Sequence, residues 1–151
     1  SGPWMLRVKQ LFGVLLLAVA LWIVWPVLGS YAGTTKFTRV ESIAELEQKL
    51  LSPGRPVMLD FYADWCVSCK EMEAFTFPDA RVAVKMRRMI LLQVDVTANS
   101  DADKALLKRF NLFGPPGIIF FDPAGKEIAG ARVVGYQPAD RFLKVLEAVG
   151  R

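Results

Sequence analysis

The most apolar stretch of the chain lies near its N-terminus. No charged residue occurs between Lys9 and Lys36, and residues 11–28 (LFGVLLLAVALWIVWPVL) are apolar throughout. At about 1.5 Å per helical residue, this stretch nearly spans a hydrocarbon core roughly 30 Å thick. The pattern therefore predicts a transmembrane helix within residues 1–29.

The flanks of this stretch predict its orientation. Arg7 and Lys9 precede it, so the positive-inside rule places the N-terminus in the cytoplasm and the rest of the chain outside. Trp22, Trp25 and Tyr31 crowd the far end, where aromatic rings favour the headgroup level.

A cleaved signal peptide is the alternative interpretation of the same stretch. Ser30-Tyr31-Ala32 loosely fits a small-x-small cleavage site. The apolar run, however, exceeds the usual signal-peptide core of about 7–15 residues, and its tryptophans and Pro26 fit a retained anchor better. Under either interpretation the remainder of the chain is exported.

Small and polar residues from Gly29 to Lys36 predict a linker, placed at 30–37. Residues 38–151 follow as one domain, long enough to bury a core of its own. The chain begins Ser1-Gly2-Pro3 without an initiator methionine, as expected of a segment cut from a longer protein.

Helix and strand patterns alternate along that domain. Continuous apolar runs predict buried strands, and proline, glycine and aspartate mark the boundaries. The predicted strands are 55–63, 90–96, 117–122 and 127–135; the predicted helices are 42–51, one from the cysteines to just before Pro78, 80–89, 101–110 and 138–149. The order βαβαβ, then a hairpin and a helix, predicts an α/β fold with a mixed central sheet and helices on both faces.

Composition and charge exclude several function classes. With no histidine and only two cysteines, the chain cannot form a histidine-ligated metal site or a four-cysteine zinc site by itself. Arg7 and Lys9 account for two of the 19 basic residues, so 17 remain from Lys36 onward, against all 15 acidic residues. The domain is nearly neutral, and the basic cluster at 85–89 (KMRRM) lacks an aromatic stacking pattern, so no nucleic-acid partner is predicted.

The two cysteines, Cys66 and Cys69 in DWCVSCK, carry the candidate chemistry. Cys66 lies at the predicted start of a helix, where unpaired amide N–H groups and the helix dipole favour thiolate over thiol. Cys69 lies one turn further and is better covered, close enough to close a small disulfide ring. Attack by Cys66 on a partner's disulfide would give a mixed disulfide, which Cys69 then breaks to release a reduced partner.

Two other roles for the cysteine pair are weaker. A structural disulfide stabilises a protein more when it closes a longer loop, and this loop is a single helical turn. Half of a zinc site shared with a second chain has no supporting ligand in the sequence. Redox chemistry is therefore the preferred interpretation, with no metal and no cofactor beyond the Cys66–Cys69 couple.

Two carboxylates are predicted to lie near the cysteines. Asp60 interrupts the apolar strand before them, and Glu73 stands at i+4 from Cys69 and i+7 from Cys66. Negative charge raises the pKa of a thiol, and a desolvated carboxylate can take a proton from Cys69. We hypothesise that the two acids restrain the thiols until a partner docks and then transfer protons. The alternatives are a hydrogen-bonded buried polar group for Asp60 and an ordinary exposed helix residue for Glu73.

Pro115 and Pro116 precede the strand predicted at 117–122 (FGPPGIIFF). Consecutive prolines favour a turn, in which a cis bond at Pro116 would lay an extended edge beside the cysteines. Such an edge offers backbone groups to an incoming partner strand, and we expect Trp65, Pro115 and Pro116 to bind the partner. Taken alone, the two prolines fit any loop equally well.

The motif VMLDFYADWCVSCK, the proline before the strand at 117–122 and the βαβαββα order resemble the thioredoxin fold. Cys66 and Cys69 match its active-site positions and Pro116 its cis-proline. More closely, DFYADWCVSCKEMEAFTF resembles the C-terminal exported domain of the DsbD family of transmembrane thiol:disulfide interchange proteins. In that family this domain follows the last membrane helix, so the resemblance covers essentially the whole chain.

The resemblance implies a protein-disulfide reductase of the bacterial inner membrane, with this domain in the periplasm. Electrons would pass from cytoplasmic thioredoxin through a membrane-embedded donor domain to this one. They would then reach a periplasmic disulfide-bearing acceptor domain that serves disulfide isomerases and cytochrome c maturation. Asp60 and Glu73 match acidic positions beside the family's cysteines, whereas Gly117 stands where the family commonly has threonine after the cis-proline.

Other functions would use the same features. A stand-alone membrane-tethered thioredoxin-like reductase of cytochrome c maturation would be supplied by a separate membrane reductase. A redox-silent binding module would use the fold only to hold clients, although the presence of both cysteines argues against it. An oxidase would differ from a reductase only in its redox potential.

Overall fold

The computed structural model describes residues 2–30 and 36–150. The chain forms two compact units, Ser1–Thr34 and Thr35–Arg151. Most of the predicted linker at 30–37, including Tyr31, lies outside the described residues.

The first unit is one long helix, α1 (Pro3–Ser30). It begins with a proline, which suits the first helical turn because that position needs no N–H donor. The side chains described between Trp4 and Trp25 are all exposed, and Pro3–Trp25 is long and apolar enough to cross a membrane. The helix is therefore longer than the predicted 11–28 run, and it is a candidate membrane span by length and composition.

The second unit is built on a five-stranded sheet with the order β1-β3-β2-β4-β5. The strands β1, β3 and β2 are parallel, while β4 runs antiparallel to β2 and β5 antiparallel to β4. The strands are β1 (Thr38–Arg39), β2 (Val57–Tyr62), β3 (Ile90–Asp95), β4 (Gly117–Phe121) and β5 (Val133–Val134). This is the predicted mixed sheet.

The helices of this unit cover both faces of the sheet. They are α2 (Ile43–Leu50), α3 (Val67–Glu71), a π-helical turn (Met72–Thr76), α4 (Ala80–Met86), α5 (Asp101–Arg109) and α6 (Ala139–Val149). Alternation along β2 separates two cores, because Leu59 packs in one cluster with Leu46 of α2 and Leu106 of α5, whereas Met58 packs in the other with Phe142 of α6. The predicted α/β class, with helices on both faces, is confirmed.

The structure departs from the prediction most clearly at β1, at β5 and in the helix after the cysteines. The two-residue β1 pairs with β3 at Thr38 and Arg39, which carry no apolar run and were not predicted as a strand. The strand predicted at 127–135 is wrong in extent, because the chain turns at Gly130, where φ is +80°. Val133 and Val134 form β5 against β4, and Glu127 makes an isolated bridge to Phe121 of β4. The helix after the cysteines ends before Pro78 as predicted, but its second half is the π-helical turn.

Candidate active site

Cys66 and Cys69 form a disulfide in this structure. Cys66 is the N-cap residue of α3, and its Sγ accepts a hydrogen bond from the Cys69 N–H at 3.1 Å. Both side chains are buried, with 6% of Cys66 and 3% of Cys69 exposed. Cys69 is better covered, as expected, but the margin is small, so neither sulfur is freely accessible in this state.

The end of β2 and a tight turn position Cys66 and Cys69 at the edge of the sheet. β2 ends at Tyr62, and the turn Ala63–Cys66 is closed by a hydrogen bond from the Cys66 N–H to the Ala63 carbonyl oxygen at 3.0 Å. Cys69 Sγ lies 3.9 Å from the Phe61 carbonyl oxygen. The disulfide therefore sits at the carboxyl end of the parallel strands, where open α/β sheets place their binding sites.

Asp60 lies on β2, one residue before Phe61, and only 4% of it is exposed. Burial raises the pKa of Asp60 to about 7; a hydrogen bond from Gln93 lowers it and the negative charge of Glu73 raises it further. A carboxyl group with this pKa can both accept and release a proton near neutral pH.

Glu73 lies in the π-helical turn, so the i+4 and i+7 spacing from the cysteines does not describe an uninterrupted α-helix. Its side chain reaches the surface, yet partial burial of the carboxyl group raises the pKa of Glu73. Gln93 and Lys70 lower that pKa, and Asp64 raises it. Because the charge of Glu73 also raises the pKa of Asp60, the two acids are coupled.

The reason for the π-helical turn lies in a distant segment of the chain. The Thr76 hydroxyl donates to the Gln137 carbonyl oxygen at 2.6 Å, and the Gln137 N–H donates to Met72 Sδ at 3.3 Å. Both ends of the turn are thus bonded to the loop before α6. Turns of this kind are often found at functional sites.

Gln93 is a site residue that the sequence did not reveal. It lies opposite Asp60 in the β2–β3 register, is 8% exposed, and its Nε2 donates to Asp60 Oδ2 at 3.1 Å. Its amide carries two N–H groups and lowers the pKa of both Asp60 and Glu73. The sequence did hold one sign of this residue, because Gln93 interrupts the apolar run of β3 just as Asp60 interrupts that of β2. That the two residues lie opposite each other follows only from the β2–β3 register.

The residues predicted to bind a partner lie at the same end of the sheet. The Pro115–Pro116 bond is cis, and Gly117, the next residue, pairs with Phe61 of β2. Trp65 follows the turn from β2 and is 61% exposed. Two apolar side chains close to these residues in the chain are also exposed, Val67 and Phe113.

Gly117 lies against the side chain of Leu112. A Cβ atom at position 117 would lie 2.8 Å from Leu112 Cδ1, too close for contact. Leu112 therefore fills the space that a larger residue after the cis-proline would occupy. A threonine at position 117 would require the Leu112 side chain to move.

The domain is similar to known thioredoxin-like proteins. A family model described as a thioredoxin-like domain matches residues 44–150. The crystal structure of the oxidised Neisseria meningitidis DsbD C-terminal domain matches with a TM-score of 0.62 and 38% sequence identity, covering 74% of this chain and 99% of that domain. This chain belongs to the thioredoxin-like family of DsbD C-terminal domains.

The chain is also similar in sequence to part of several longer DsbD proteins. The thiol:disulfide interchange protein DsbD of Ralstonia nicotianae is 57% identical over 113 residues, which are 73% of this chain and 18% of that protein. The DsbD of Pectobacterium atrosepticum is 45% identical over 146 residues, which are 92% of this chain and 25% of that protein. The chain therefore spans about a fifth to a quarter of the length of the curated relatives it matches.

The redox group of a DsbD domain is the cysteine pair itself. Within residues 2–30 and 36–150, no group of three or more cysteine, aspartate or glutamate side chains is placed to hold a metal ion.

Proposed function

We propose that this domain is a protein-disulfide reductase that relays electrons by thiol–disulfide exchange from a membrane-embedded donor domain to disulfide-bearing partners in the periplasm. The observation that carries the proposal is the Cys66–Cys69 disulfide at the carboxyl end of β2, the strand that also carries the buried Asp60. The name of the relatives, thiol:disulfide interchange protein, supports the same activity. Disulfide isomerisation and cytochrome c maturation are the pathways it would serve.

The reaction moves two electrons and two protons. In the reduced domain the Cys66 thiolate attacks one sulfur of the partner's disulfide, and the other sulfur leaves as a thiolate that takes up a proton. The Cys69 thiol then loses its proton and attacks Cys66 Sγ. This step re-forms the Cys66–Cys69 disulfide and releases the partner as a dithiol. The donor restores the dithiol by the same steps in reverse.

Asp60 is the proton acceptor for Cys69 in this scheme. It lies one residue before Phe61, whose carbonyl oxygen is 3.9 Å from Cys69 Sγ, and its pKa of about 7 suits proton transfer near neutral pH. The charge of Glu73 keeps this pKa raised, and the amide of Gln93 opposes that effect. While ionised, the two acids raise the pKa of the thiols and restrain exchange without a partner.

Trp65, Pro115 and Pro116 form the partner-binding edge. The Pro116 carbonyl oxygen already accepts the Gly135 N–H at 3.0 Å, and neither proline has an N–H of its own. Within the described part of the chain, the Pro115 carbonyl oxygen takes part in no backbone hydrogen bond. At these two prolines the edge can therefore accept a backbone hydrogen bond but cannot donate one. An incoming strand of the partner must supply the N–H group that binds the Pro115 carbonyl oxygen.

The helix α1 is the membrane anchor, with its N-terminus in the cytoplasm of a bacterial inner membrane. The apolar run 11–28 rises about 27 Å at about 1.5 Å per residue, close to the thickness of a hydrocarbon core. Trp22 and Trp25 are exposed near its distal end, as expected of an aromatic belt at the periplasmic interface. The anchor carries no cysteine, so it cannot itself pass electrons to the domain.

The decisive experiment is the equilibrium reduction potential of the Cys66–Cys69 couple, measured against a series of dithiothreitol or glutathione buffers. A potential towards that of thioredoxin, about −270 mV, supports a reductant that passes electrons outward. A potential near that of a strong oxidant, about −120 mV, would reverse the direction of transfer and overturn the proposal. As a paired control, Cys69→Ser should trap a mixed disulfide with a partner, whereas Cys66→Ser should trap none.

A further inference from the structure

Thr97 binds the turn that presents Cys66 from outside, through two hydrogen bonds. The two central residues of the turn, Asp64 and Trp65, are both exposed. The Asp64 N–H donates to Thr97 Oγ1 at 2.9 Å, and the Trp65 Nε1–H donates to the Thr97 carbonyl oxygen at 3.4 Å. Thr97 lies two residues beyond the end of β3, more than thirty positions from the turn.

The direction of the Thr97 hydroxyl is fixed by Asp95. The ionised Asp95 carboxylate only accepts hydrogen bonds, so the Thr97 hydroxyl donates to Asp95 Oδ1 and turns a lone pair toward the Asp64 N–H. The Thr97 N–H donates to the same oxygen at 3.0 Å. Arg39 of β1 binds the other oxygen, Oδ2, at 2.8 Å. Asp95 is therefore held on both sides, and it orients Thr97.

The charge of Asp95 supports this arrangement. Burial alone would raise the pKa of Asp95, but hydrogen bonds from Thr97 and the pairing with Arg39 outweigh burial and lower it. Asp95 is consequently ionised over the pH range in which disulfide exchange takes place.

We propose that Thr97 is a positioning residue for disulfide exchange: it clamps the turn Ala63–Cys66 and sets the orientation of the Trp65 ring toward the partner. The inference rests on the proposed function. Besides the Thr97 contacts, the turn has the Cys66 N–H to Ala63 bond and a hydrogen bond from the Tyr62 hydroxyl to Asp64 Oδ1 at 3.0 Å. Without the clamp the exposed Asp64 and Trp65 are free to adopt other geometries, and attack by Cys66 slows because it depends on alignment.

The test compares two variants that differ at the hydroxyl. Thr97→Val keeps the side-chain shape and the backbone carbonyl but removes the hydroxyl, whereas Thr97→Ser keeps the hydroxyl. Thr38→Val, at an exposed threonine of β1, is the matched control. The full chain in detergent micelles is reduced and then mixed with a synthetic peptide containing one disulfide, and the second-order rate constant is measured. The Trp65 indole N–H resonance, assigned by its loss in Trp65→Phe, is followed by NMR.

Thr97→Val should react about tenfold more slowly, because a factor of ten corresponds to about 1.4 kcal/mol, near the free energy of one hydrogen bond. Its Trp65 indole and Asp64 amide resonances should shift, while Thr97→Ser and Thr38→Val should stay within about twofold of the parent rate. A Thr97→Val protein with the parent rate and unmoved resonances overturns the proposal. So does a folded Thr97→Ser protein as slow as Thr97→Val.

The two proposals fail in different ways. If the parent chain itself does not reduce the peptide, the proposed function is wrong, and the Trp65 and Asp64 resonances of Thr97→Val still decide whether the clamp exists. If Thr97→Val does not fold, Thr97→Ser decides alone. A parent-like rate with parent-like resonances then supports the clamp, and a slow rate overturns it.

Discussion

At Asp60, burial and hydrogen bonding act on the pKa in opposite directions. Burial dominates and raises the pKa to about 7, against about 3.9 for an aspartate in an unfolded chain. Between these two values the folded state binds more protons than the unfolded state. The free energy of unfolding therefore decreases as the pH rises from about 4 to about 7, and then levels off.

Asp60→Asn should remove this pH dependence, because asparagine does not titrate. Relative to Asp60→Asn, the parent should lose roughly 3–4 kcal/mol of stability from about pH 4 to about pH 8, at about 1.4 kcal/mol per pKa unit. The measurement is urea unfolding of residues 36–151 across that range, with the disulfide intact so that the cysteines do not titrate. Equal pH slopes in the two proteins would show that the pKa of Asp60 is ordinary.

A second variant tests the direction in which Gln93 shifts the pKa of Asp60. Gln93→Leu removes a hydrogen bond that lowers the pKa of Asp60, so its loss of stability should extend to higher pH than in the parent. Gln48→Leu, at an exposed glutamine of α2, should leave the pH dependence unchanged. If both leucine variants behave alike, Gln93 does not act on Asp60.

At the scale of elements, each helix cap uses residues close together in the chain. At α5 the sequence predicted an aspartate cap, but the N-cap is Ser100, one residue before Asp101. The Ser100 hydroxyl accepts the Asp103 N–H at 3.2 Å, and Asp103 Oδ2 accepts the Ser100 N–H at 2.7 Å, which together form a capping box. The capping-box spacing of Ser42 and Glu45 at α2 also corresponds to an observed cap, since Ser42 accepts the Glu45 N–H at 3.2 Å. Each cap uses residues three positions apart.

Ser100→Ala should destabilise the domain by about 1 kcal/mol, because the variant leaves the Asp103 N–H without its acceptor. The measurement is urea unfolding near neutral pH. Ser68→Ala, within α3, provides the comparison, since the N-cap of that helix is Cys66 rather than serine. A Ser100→Ala protein as stable as the parent would mean that water replaces the serine hydroxyl without loss.

At the scale of the whole molecule, the two units make different demands on their surroundings. The described side chains of α1 up to Trp25 are exposed and predominantly apolar, whereas the domain packs two clusters of buried apolar residues of its own. A helix of this kind is stable in a bilayer, where its backbone groups are satisfied internally.

The full chain expressed in a bacterium should therefore stay in the membrane fraction after alkaline carbonate washing. Residues 36–151 expressed with a separate, cleavable export signal should be released into the soluble fraction. Val19→Arg places a charge in the middle of α1, where insertion costs about 2.5–3.5 kcal/mol, and it should reduce retention. A soluble product about 30 residues shorter than the full chain would instead identify α1 as a cleaved signal peptide.

The sequence by itself determined the features that depend on neighbouring residues. The apolar run of α1, the buried strands β2, β3 and β4, and the amphipathic helices α2, α5 and α6 follow from periods of hydrophobicity within one segment. The cysteine motif, with its strand before and helix after, predicted the family that the comparisons confirm. These signals are readable because a short stretch of chain carries each of them completely.

Only the tertiary structure decided the rest. β1 exists because β3 lies beside it, β5 is short because the chain turns at Gly130, and the π-helical turn forms where Met72 and Thr76 bond to Gln137. Likewise, Gln93 reaches Asp60 and Thr97 reaches the turn before Cys66 only through the β2–β3 register. These contacts join residues more than thirty positions apart, and the free energy that selects them comes from packing between segments, which no single segment of the sequence encodes.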